Sequence, residues 1–287
     1  NTTSSNLVYL YDGKANRCLV KGNTTSDRIM TMYYASSSIS NSLICNNNCT
    51  NAYNEPIYND RGNILNCTFV NNNSKCNKFM NMQNATLKNS ILVGNQTNAN
   101  YSGAFNMGGT NTIKNNMLEA TFINGNIDGS MTYAAFTDAE NGDYSLSANS
   151  YCINAGVDVA DSLDLYGKAR KQGGAVDMGA IESAYTKAPV LQKCGDIIYV
   201  KSGSKGDGTS WTSAFGDIQQ AIFAASADGK KHQIWVAAGS YYGDTTLSTV
   251  VNLAPGISLY GGFEGTEKSL AARDTAKNST IIDGKNK

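Results

Sequence analysis

The amino-acid sequence predicts an all-β fold in which one short coil of chain is repeated several times along an axis. Charged residues make up only 16% of the 287 residues, against roughly 25% in an ordinary globular domain. Similar asparagine-containing segments recur about every two dozen residues. Within these segments the apolar and polar residues follow a strand-like pattern and no helical period. These three observations predict coils of short strands that stack on one another.

The repeat is centred on an asparagine that lies two places after an inward-facing apolar residue. The four asparagines are Asn41, Asn66, Asn89 and Asn115, and Arg17 takes the equivalent place in a weaker first copy. The steps are 25, 23 and 26 residues (41 to 66, 66 to 89 and 89 to 115). Because asparagine adopts left-handed backbone angles more readily than most residues, each is predicted to form a bend. Their amides are predicted to hydrogen-bond along the axis as a structural ladder.

The other parts of each coil are predicted from the residues around this bend. The inward residues before the bend are Ile39, Ile64, Leu87 and Ile113, and the large inward residues after it are Val20, Ile44, Phe69, Leu92 and Leu118. A second bend is predicted at Gly22-Asn23, Asn46-Asn47, Asn71-Asn72 and Gly94-Asn95. A further strand is predicted at Arg28–Met32, Pro56–Tyr58, Lys78–Met82 and Ala104–Met107.

Composition limits the partners and the compartment. Lysine plus arginine equals aspartate plus glutamate at 23 each, so the formal net charge is zero. This argues against a nucleic-acid binder, which carries a basic excess. No apolar stretch approaches the roughly 18 residues of a membrane-spanning helix, so no membrane span is predicted. Most of the seven cysteines are predicted to be small buried side chains, and a Cys152–Cys194 disulfide is left open.

Two groups of motifs carry a family resemblance. The first group is Gly142–Leu146, Ile153–Gly156, Asp164–Arg170 and Val176–Glu182. It resembles the closing segment of right-handed parallel β-helix surface proteins of bacteria, of the choice-of-anchor or polymorphic outer membrane protein type. The second group is Ile198–Val200, Gly206–Trp211, Ala214–Ile222, Ile234–Tyr241 and Gly256–Glu267. It is similar to the opening of the same family.

The predicted fold class is therefore all-β: a right-handed parallel β-helix (a solenoid) with one capping α-helix near residues 213–228. Ser213 or Thr212 is predicted to cap this helix, which would plug the open end of a core. Residues 1–185 are predicted to form coils and a closing segment, 186–196 a linker, and 197–287 the capping helix and first coils of a β-helix. The closing motifs precede the opening ones, so the chain is either a piece of a tandem array or one permuted solenoid.

Two candidate sites are weighed against structural alternatives. Asp158, Asp161 and Asp164 form the densest acidic cluster, and calcium prefers such oxygen ligands. The alternative is a solvated closing segment in which Arg170 pairs with Asp164 or Asp177. No other cofactor is predicted. Tyr241 and Tyr242 are candidates for stacking on sugars, with packing or plain surface exposure as the alternative.

No catalytic residues are predicted, because the acidic residues of the repeat are scattered and none forms an aligned pair one coil apart. The predicted function is a non-enzymatic secreted or bacterial cell-surface β-helix module that serves as a structural, adhesive or fibre-forming component. The predicted partners are other copies, bound head-to-tail through the helix ends, with glycans or a host surface as further partners. The alternative is a polysaccharide lyase or hydrolase, or a glycan-binding module, on the same scaffold.

Overall fold

The structure is a computed structural model that describes residues 1–97, 105–119, 126–129, 134–186, 195–226, 231–242 and 250–284. The chain divides into two compact units, which are called unit 1 (Asn1–Pro189) and unit 2 (Val190–Lys287). The predicted linker, 186–196, spans this division, and its residues 187–194 lie outside the described ranges.

In unit 1 the chain winds through four parallel sheets, numbered I to IV in the order in which the chain meets them. Sheet I contains Thr2–Thr3, Thr24–Thr25, Asn48–Cys49 and Asn73–Ser74. Sheet II contains Val8–Tyr11, Met30–Tyr33, Ile57–Asp60, Met80–Gln83 and Phe105–Gly108. Sheet III contains Lys14–Asn16, Ser38–Ser40, Asn63–Leu65, Thr86–Lys88 and Thr112–Lys114. Sheet IV contains Leu19–Lys21, Leu43–Cys45, Thr68–Val70, Ile91–Val93, Met117–Glu119 and Ile127–Gly129.

Every strand of these sheets pairs in parallel with the strand one coil away, which confirms the predicted β-solenoid. The predicted strands of sheet II are confirmed to within two residues, whereas the short strands of sheet I were missed. Ala104, which opens one predicted strand, lies outside the described residues.

The bends between sheets III and IV confirm the central prediction of the repeat. Asn41, Asn66, Asn89 and Asn115 have φ values of 48°, 51°, 50° and 56°, all in the left-handed region. Arg17 has a φ of 56° at the equivalent place. The predicted second bend, between sheets IV and I, is confirmed by positive φ at Gly22, Asn46, Asn71 and Gly94. A third bend, between sheets II and III, was not predicted; its positive-φ residues are Asp12, Tyr34, Arg61, Asn84 and Gly109.

In the coils that pass through all four sheets, the coil length varies only on one side of unit 1; the last strand of sheet IV follows its neighbour after only ten residues (117 to 127). From the start of each sheet III strand to the start of the next sheet IV strand there are always five residues (14 to 19, 38 to 43, 63 to 68, 86 to 91 and 112 to 117). The step from sheet IV to sheet I is also five residues (19 to 24, 43 to 48 and 68 to 73). The steps into and out of sheet II vary, for example six residues from Thr24 to Met30 and nine from Asn48 to Ile57. Length differences are therefore confined to the two bends that flank sheet II.

The interior of unit 1 is filled by columns of apolar side chains from successive coils. All four predicted inward residues before the bend are buried, and so are four of the five large residues after it: Ile39, Ile64, Leu87, Ile113, Ile44, Phe69, Leu92 and Leu118. Burying one such side chain stabilises the fold by about 1.5–3 kcal/mol. The fifth residue, Val20, lies in the first coil and is only half-buried.

The closing segment, residues 134–186, departs from the predicted final coils. It begins with an antiparallel hairpin of Phe136–Asp138 and Asp143–Leu146, and the rest of its described chain is mostly irregular. Gly179 donates its backbone N–H to the carbonyl of Asn89, and Ala180 donates its own to Oγ1 of Thr68. The strands of sheet IV from the second to the fourth are buried on both faces. The closing segment therefore lies against the outer face of sheet IV.

The described residues of unit 2 form two small parallel sheets and one α-helix. Its three-stranded sheet consists of Ile197–Val200, His232–Ala237 and Ile257–Phe263, and its two-stranded sheet of Gly239–Tyr242 and Thr280–Asp283. The helix, α1, spans Ile218–Ser226 and contacts all three strands of the larger sheet. Two 3-10 turns lie at Trp211–Ser213 and Leu270–Ala272. None of the described helices is long and apolar enough to cross a membrane.

The helix was predicted in the right region, but its cap was wrong. Oδ1 of Asp217 accepts the backbone N–H of Gln220 at 2.8 Å, so Asp217 caps α1. Ser213 instead ends the preceding 3-10 turn, where its N–H donates to Oγ of Ser210 at 3.1 Å. Because both Ser210 and Asp217 satisfy free N–H groups at the start of a helical turn, the sequence around residue 213 contains two start signals.

Candidate functional site

The predicted asparagine ladder is present in one rung, between Asn66 and Asn41, and the amides of Asn41 and Asn89 hold the closing segment. Nδ2 of Asn66 donates to Oδ1 of Asn41 at 3.2 Å. Nδ2 of Asn41 donates to Oδ2 of Asp161 at 3.0 Å. Asn89 makes two bonds to the backbone of Val157, a donated one of 2.6 Å and an accepted one of 3.0 Å. Asn115 shares the bend geometry of the column.

A continuous amide ladder lies instead at the bend between sheets IV and I. Nδ2 of Asn23 donates to Oδ1 of Asn47, Nδ2 of Asn47 to Asn72, and Nδ2 of Asn72 to Asn95, at 3.0, 3.0 and 2.9 Å. Each accepting oxygen also receives the backbone N–H of the asparagine one coil before, as in the bond from Asn47 to Asn72 at 3.1 Å. These stacked asparagines thus satisfy buried backbone groups as well as one another.

The ladder lies one residue after the residue with positive φ. Asn46 and Asn71 turn the chain, and the side chains of Asn47 and Asn72 then point inward and are fully buried. The asparagine pairs were predicted as bends, and the doubled asparagine was the signal that the second member has a separate role.

The closing segment contains a buried cluster of four charged side chains: Asp164, Arg170, Asp177 and Glu182. Nη2 of Arg170 donates to the carbonyls of Asp177 and Gly179 at 3.0 and 2.9 Å. Its Nε lies 3.7 Å from Oε2 of Glu182. The arginine therefore ties its own part of the closing segment to residues 177–182 beneath the surface.

The carboxylates of this cluster accept backbone N–H groups. Oδ1 of Asp164 accepts from Tyr166 and Lys168 at 2.9 and 2.8 Å, and its Oδ2 accepts from Glu182 at 3.0 Å. Asp177 accepts from the N–H groups of Asn154 and Ser183, both at 2.7 Å. The cluster thus replaces regular strand pairing as the support of an irregular chain.

Burial controls the protonation of the cluster. Burial first, and then the charge of the nearby Asp177, together raise the pKa of Glu182 to about 7. Burial also raises the pKa of Asp177 and lowers that of Arg170. These directions follow because a low-dielectric surrounding disfavours each charged form.

The three predicted calcium ligands have separate protein partners. Asp158 forms a surface ion pair with Lys171 at 3.1 Å, Asp161 accepts from Asn41, and Asp164 accepts the backbone bonds described above. Within the described ranges, no group of three or more histidine, cysteine, aspartate or glutamate side chains is arranged to hold a metal ion. The alternative needs correction too, because Arg170 is buried and its nearest carboxylate is that of Glu182.

The two tyrosines predicted to stack on sugars differ in exposure. Tyr241 is buried, and its hydroxyl donates to the carbonyl of Ala237 at 2.9 Å and accepts the N–H of Ser202 at 3.1 Å. It therefore offers no ring face to a ligand, and the prediction is wrong for this residue. Tyr242 is exposed. His232, the one histidine, is buried with Nδ1 2.9 Å from the carbonyl oxygen of Gly195.

The described cysteines are free thiols, and five of the six are buried: Cys45, Cys49, Cys67, Cys76 and Cys152. Burial raises the pKa of Cys45 to about 11 and that of Cys67 to about 12, which keeps both as unreactive thiols near neutral pH. Cys194 lies outside the described residues.

The buried cluster and the amide ladder hold the chain in place, since both are enclosed by protein. No family model, curated protein or solved structure matches this chain. The geometry of the chain's surfaces is therefore the guide to its function.

Replacing Asn72 by alanine is expected to destabilise unit 1 by about 2–4 kcal/mol, because two groups of Asn47 and the carbonyl of Ile44 lose their buried partner. Urea unfolding followed by far-UV circular dichroism measures this loss. Trp211 and Trp235, the two tryptophans, lie in unit 2, so their fluorescence is an internal reference. The matched control is Asn73→Ala, at an exposed neighbour, which is expected to change stability by less than about 0.5 kcal/mol. Equal effects of the two substitutions would contradict the ladder.

The cluster gives stability a defined pH dependence. Because the folded pKa of Glu182 is raised from 4.5 to about 7, its contribution is fully present below about pH 4.5 and is lost as the pH rises through about 7. In the Glu182→Gln variant the side chain at position 182 is uncharged at every pH. We expect it to match the parent near pH 4.5 and to be more stable by about 3 kcal/mol near pH 8, at about 1.4 kcal/mol per pKa unit.

Urea unfolding of the full chain at several pH values tests this difference. The exposed Glu140 is the control, and Glu140→Gln should differ from the parent by a small, constant amount. A Glu182→Gln protein that is less stable than the parent near pH 8 would show that the ionised carboxylate is the stabilising form, contrary to this expectation.

Proposed function

We propose that this chain is a non-enzymatic β-helix module of the bacterial cell surface or extracellular space, and that it serves as a structural or adhesive component by stacking end to end with other copies. The observation that carries the proposal is that apolar side chains in an outer coil of each unit are partly exposed, although their neighbours one coil further in are buried.

In unit 1 the apolar side chains of the first described coil are only partly covered. Val8 and Leu10 continue the columns of Met30 and Met32, which are fully buried, yet both are only half-buried themselves. Ala15 stands in the same relation to the buried Ile39. The four strands of the first coil are also edge strands of sheets I to IV in the described chain.

In unit 2 the last described strand, Thr280–Asp283, has a similar free side. Ile282 pairs with the buried Tyr241 and so lies in an interior column, but it is 46% exposed. Gly239–Tyr242 is its one partner strand among the described residues.

An uncovered column and a row of unpaired strand edges are stabilised by the same event, the addition of another coil. A new coil pairs with the free N–H and C=O groups and buries the apolar residues beneath it. The first coil of one copy and the Thr280–Asp283 end of another supply complementary parallel strands. Since the contact joins two different surfaces, it leaves one free end of each kind and propagates.

The proposed location at the bacterial cell surface or outside the cell is supported by features of the sequence. The closing and opening motifs resemble those of bacterial surface β-helix proteins, and the composition is polar with few charges. These support an extracellular or cell-surface module.

We expect the parent chain to form oligomers whose mean mass rises with concentration in sedimentation velocity. Ala15→Lys places an ammonium group at the open end of unit 1, where its long side chain reaches solvent, and it should give monomers. Ile282→Lys should do the same at the end of unit 2. Thr112→Lys adds the same charge at an exposed lateral position of sheet III and should assemble like the parent.

Mixing the two blocked variants gives a sharper result. Each retains one competent end, so an equimolar mixture of Ala15→Lys and Ile282→Lys should form dimers and nothing longer. A parent chain that stays monomeric at all concentrations would overturn the proposal. Assembly of the Ala15→Lys and Ile282→Lys variants like that of the parent would overturn it too. Circular dichroism spectra identical to the parent establish that each variant is folded.

A further inference from the structure

We propose that the outer face of sheet II binds an uncharged, extended polysaccharide. This face is lateral and separate from the coil ends that stack in the proposed assembly. The proposed binding face comprises the outward residues of sheet II together with Tyr34, Arg61 and Glu55 beside them.

The register of sheet II places its outward side chains in two columns. The first column is Tyr9, Thr31, Tyr58, Asn81 and Asn106, of which Thr31 and Asn81 are buried. The second is Tyr11, Tyr33, Asp60, Gln83 and Gly108. The five strands are separated by four spacings of about 4.8 Å, so the strip is roughly 20 Å long parallel to the axis. The aromatic rings lie at the first coils and the amides at the last ones.

The aromatic part is a contiguous group of tyrosine rings. Ring centroids lie 6.0 Å apart between Tyr9 and Tyr33, 5.6 Å between Tyr33 and Tyr58, and 4.8 Å between Tyr11 and Tyr34. Tyr9 and Tyr11 are 54% and 62% exposed. Tyrosine presents a rigid ring with a polar tip, and grouped exposed rings mark interaction surfaces.

The rings are held in place before any ligand arrives. The Asp60 carboxylate accepts two bonds from the Arg61 guanidinium, at 3.2 and 3.1 Å. The Arg61 guanidinium lies 5.1 Å from the centre of the Tyr34 ring, and the Tyr34 hydroxyl is 2.8 Å from that of Tyr11. Because each group fixes the next, little side-chain freedom is lost on binding.

The backbone places two of these side chains at positions that other residues would occupy at a lower cost. Tyr34 and Arg61 occupy the left-handed bend between sheets II and III with φ of 73° and 67°. Asn84 and Gly109 occupy the same bend in later coils, and such residues adopt these angles at lower cost. A bulky residue held at positive φ is a mark of a functional position.

The amide part offers hydrogen-bonding groups beside the rings. Nε2 of Gln83 donates to Oδ1 of Asn81 at 2.8 Å, and Nδ2 of Asn106 donates to Oε1 of Glu55 at 2.9 Å. Gly108 makes room for this arrangement, since a Cβ there would lie 2.0 Å from Oε1 of Gln83. Each amide has a second donor or acceptor position available in its chemistry for a hydroxyl group.

The chemistry favours a neutral sugar polymer. Sugar rings have C–H faces that suit tyrosine rings and hydroxyl edges that suit amides and carboxylates. The charge of Arg61 is balanced by Asp60, whereas a nucleic acid would require a groove with an excess of positive charge. A strip that runs along five coils matches an extended chain better than a compact ligand.

Affinity gel electrophoresis tests the proposal with soluble β-glucan, galactomannan and xyloglucan, and with heparin and a single-stranded oligonucleotide as charged comparisons. We expect at least one uncharged polysaccharide to retard the protein. Tyr34→Asn should weaken that binding at least tenfold while the melting temperature stays level or rises, because asparagine suits the bend. Tyr166→Ala, at a tyrosine 64% exposed on the closing segment, is the matched control and should bind like the parent.

Retardation by none of the three uncharged polysaccharides, or by the charged polymers alone, would overturn the proposal. So would a Tyr34→Asn variant that binds like the parent, or a Tyr166→Ala variant that loses as much. Repeating the experiment with Ala15→Lys separates the two proposals, because a chain blocked at its end should still bind the polysaccharide. Loss of assembly with binding intact would count only against end-to-end stacking.

Discussion

The constraint on which the rest of the structure depends is that every coil of unit 1 must turn at the same place as its neighbours. Left-handed bends at Asn41, Asn66, Asn89 and Asn115 achieve this, and they keep the inward residues of sheets III and IV in register. A one-residue slip would turn every apolar side chain outward. The buried amides of Asn47 and Asn72 reinforce the register because each satisfies backbone groups in adjacent coils. The apolar columns thus depend on polar residues placed with single-residue accuracy.

The lateral faces of the solenoid have different roles. The outer face of sheet IV is covered by the closing segment, which is fastened through Asn89, Thr68 and its own buried charges. Sheet II carries exposed tyrosines on its outer side. A buried ionic cluster costs desolvation energy, which its internal attraction repays only when the remaining polar groups are hydrogen-bonded. The cluster lies in the irregular chain that follows the hairpin of the closing segment, where its hydrogen bonds take the place of strand pairing.

Much of the repeat could be predicted from sequence, because one local rule operates in each coil: asparagine tolerates positive φ and apolar residues alternate in strands. The third bend was missed because Tyr34 and Arg61 give no local signal for a left-handed turn, and only Asp12, Asn84 and Gly109 do. Asn47 and Asn72 were assigned to bends although they form the ladder, because the direction of a side chain depends on the residue that turns before it. Tyr241 was misjudged because nothing in its neighbourhood reveals the backbone groups of Ser202 and Ala237 that bind its hydroxyl.

The uneven coil lengths have an evolutionary consequence. The five-residue steps between sheets III, IV and I leave no room for insertion, since an added residue would displace the ladder and the contacts of the closing segment. Insertions at the bends around sheet II, such as the longer passage from Asn48 to Ile57, change no strand register. Diversification by gain and loss of loop residues is therefore channelled to the borders of a single face. A lineage of such chains could change what that face recognises while inheriting the same interior.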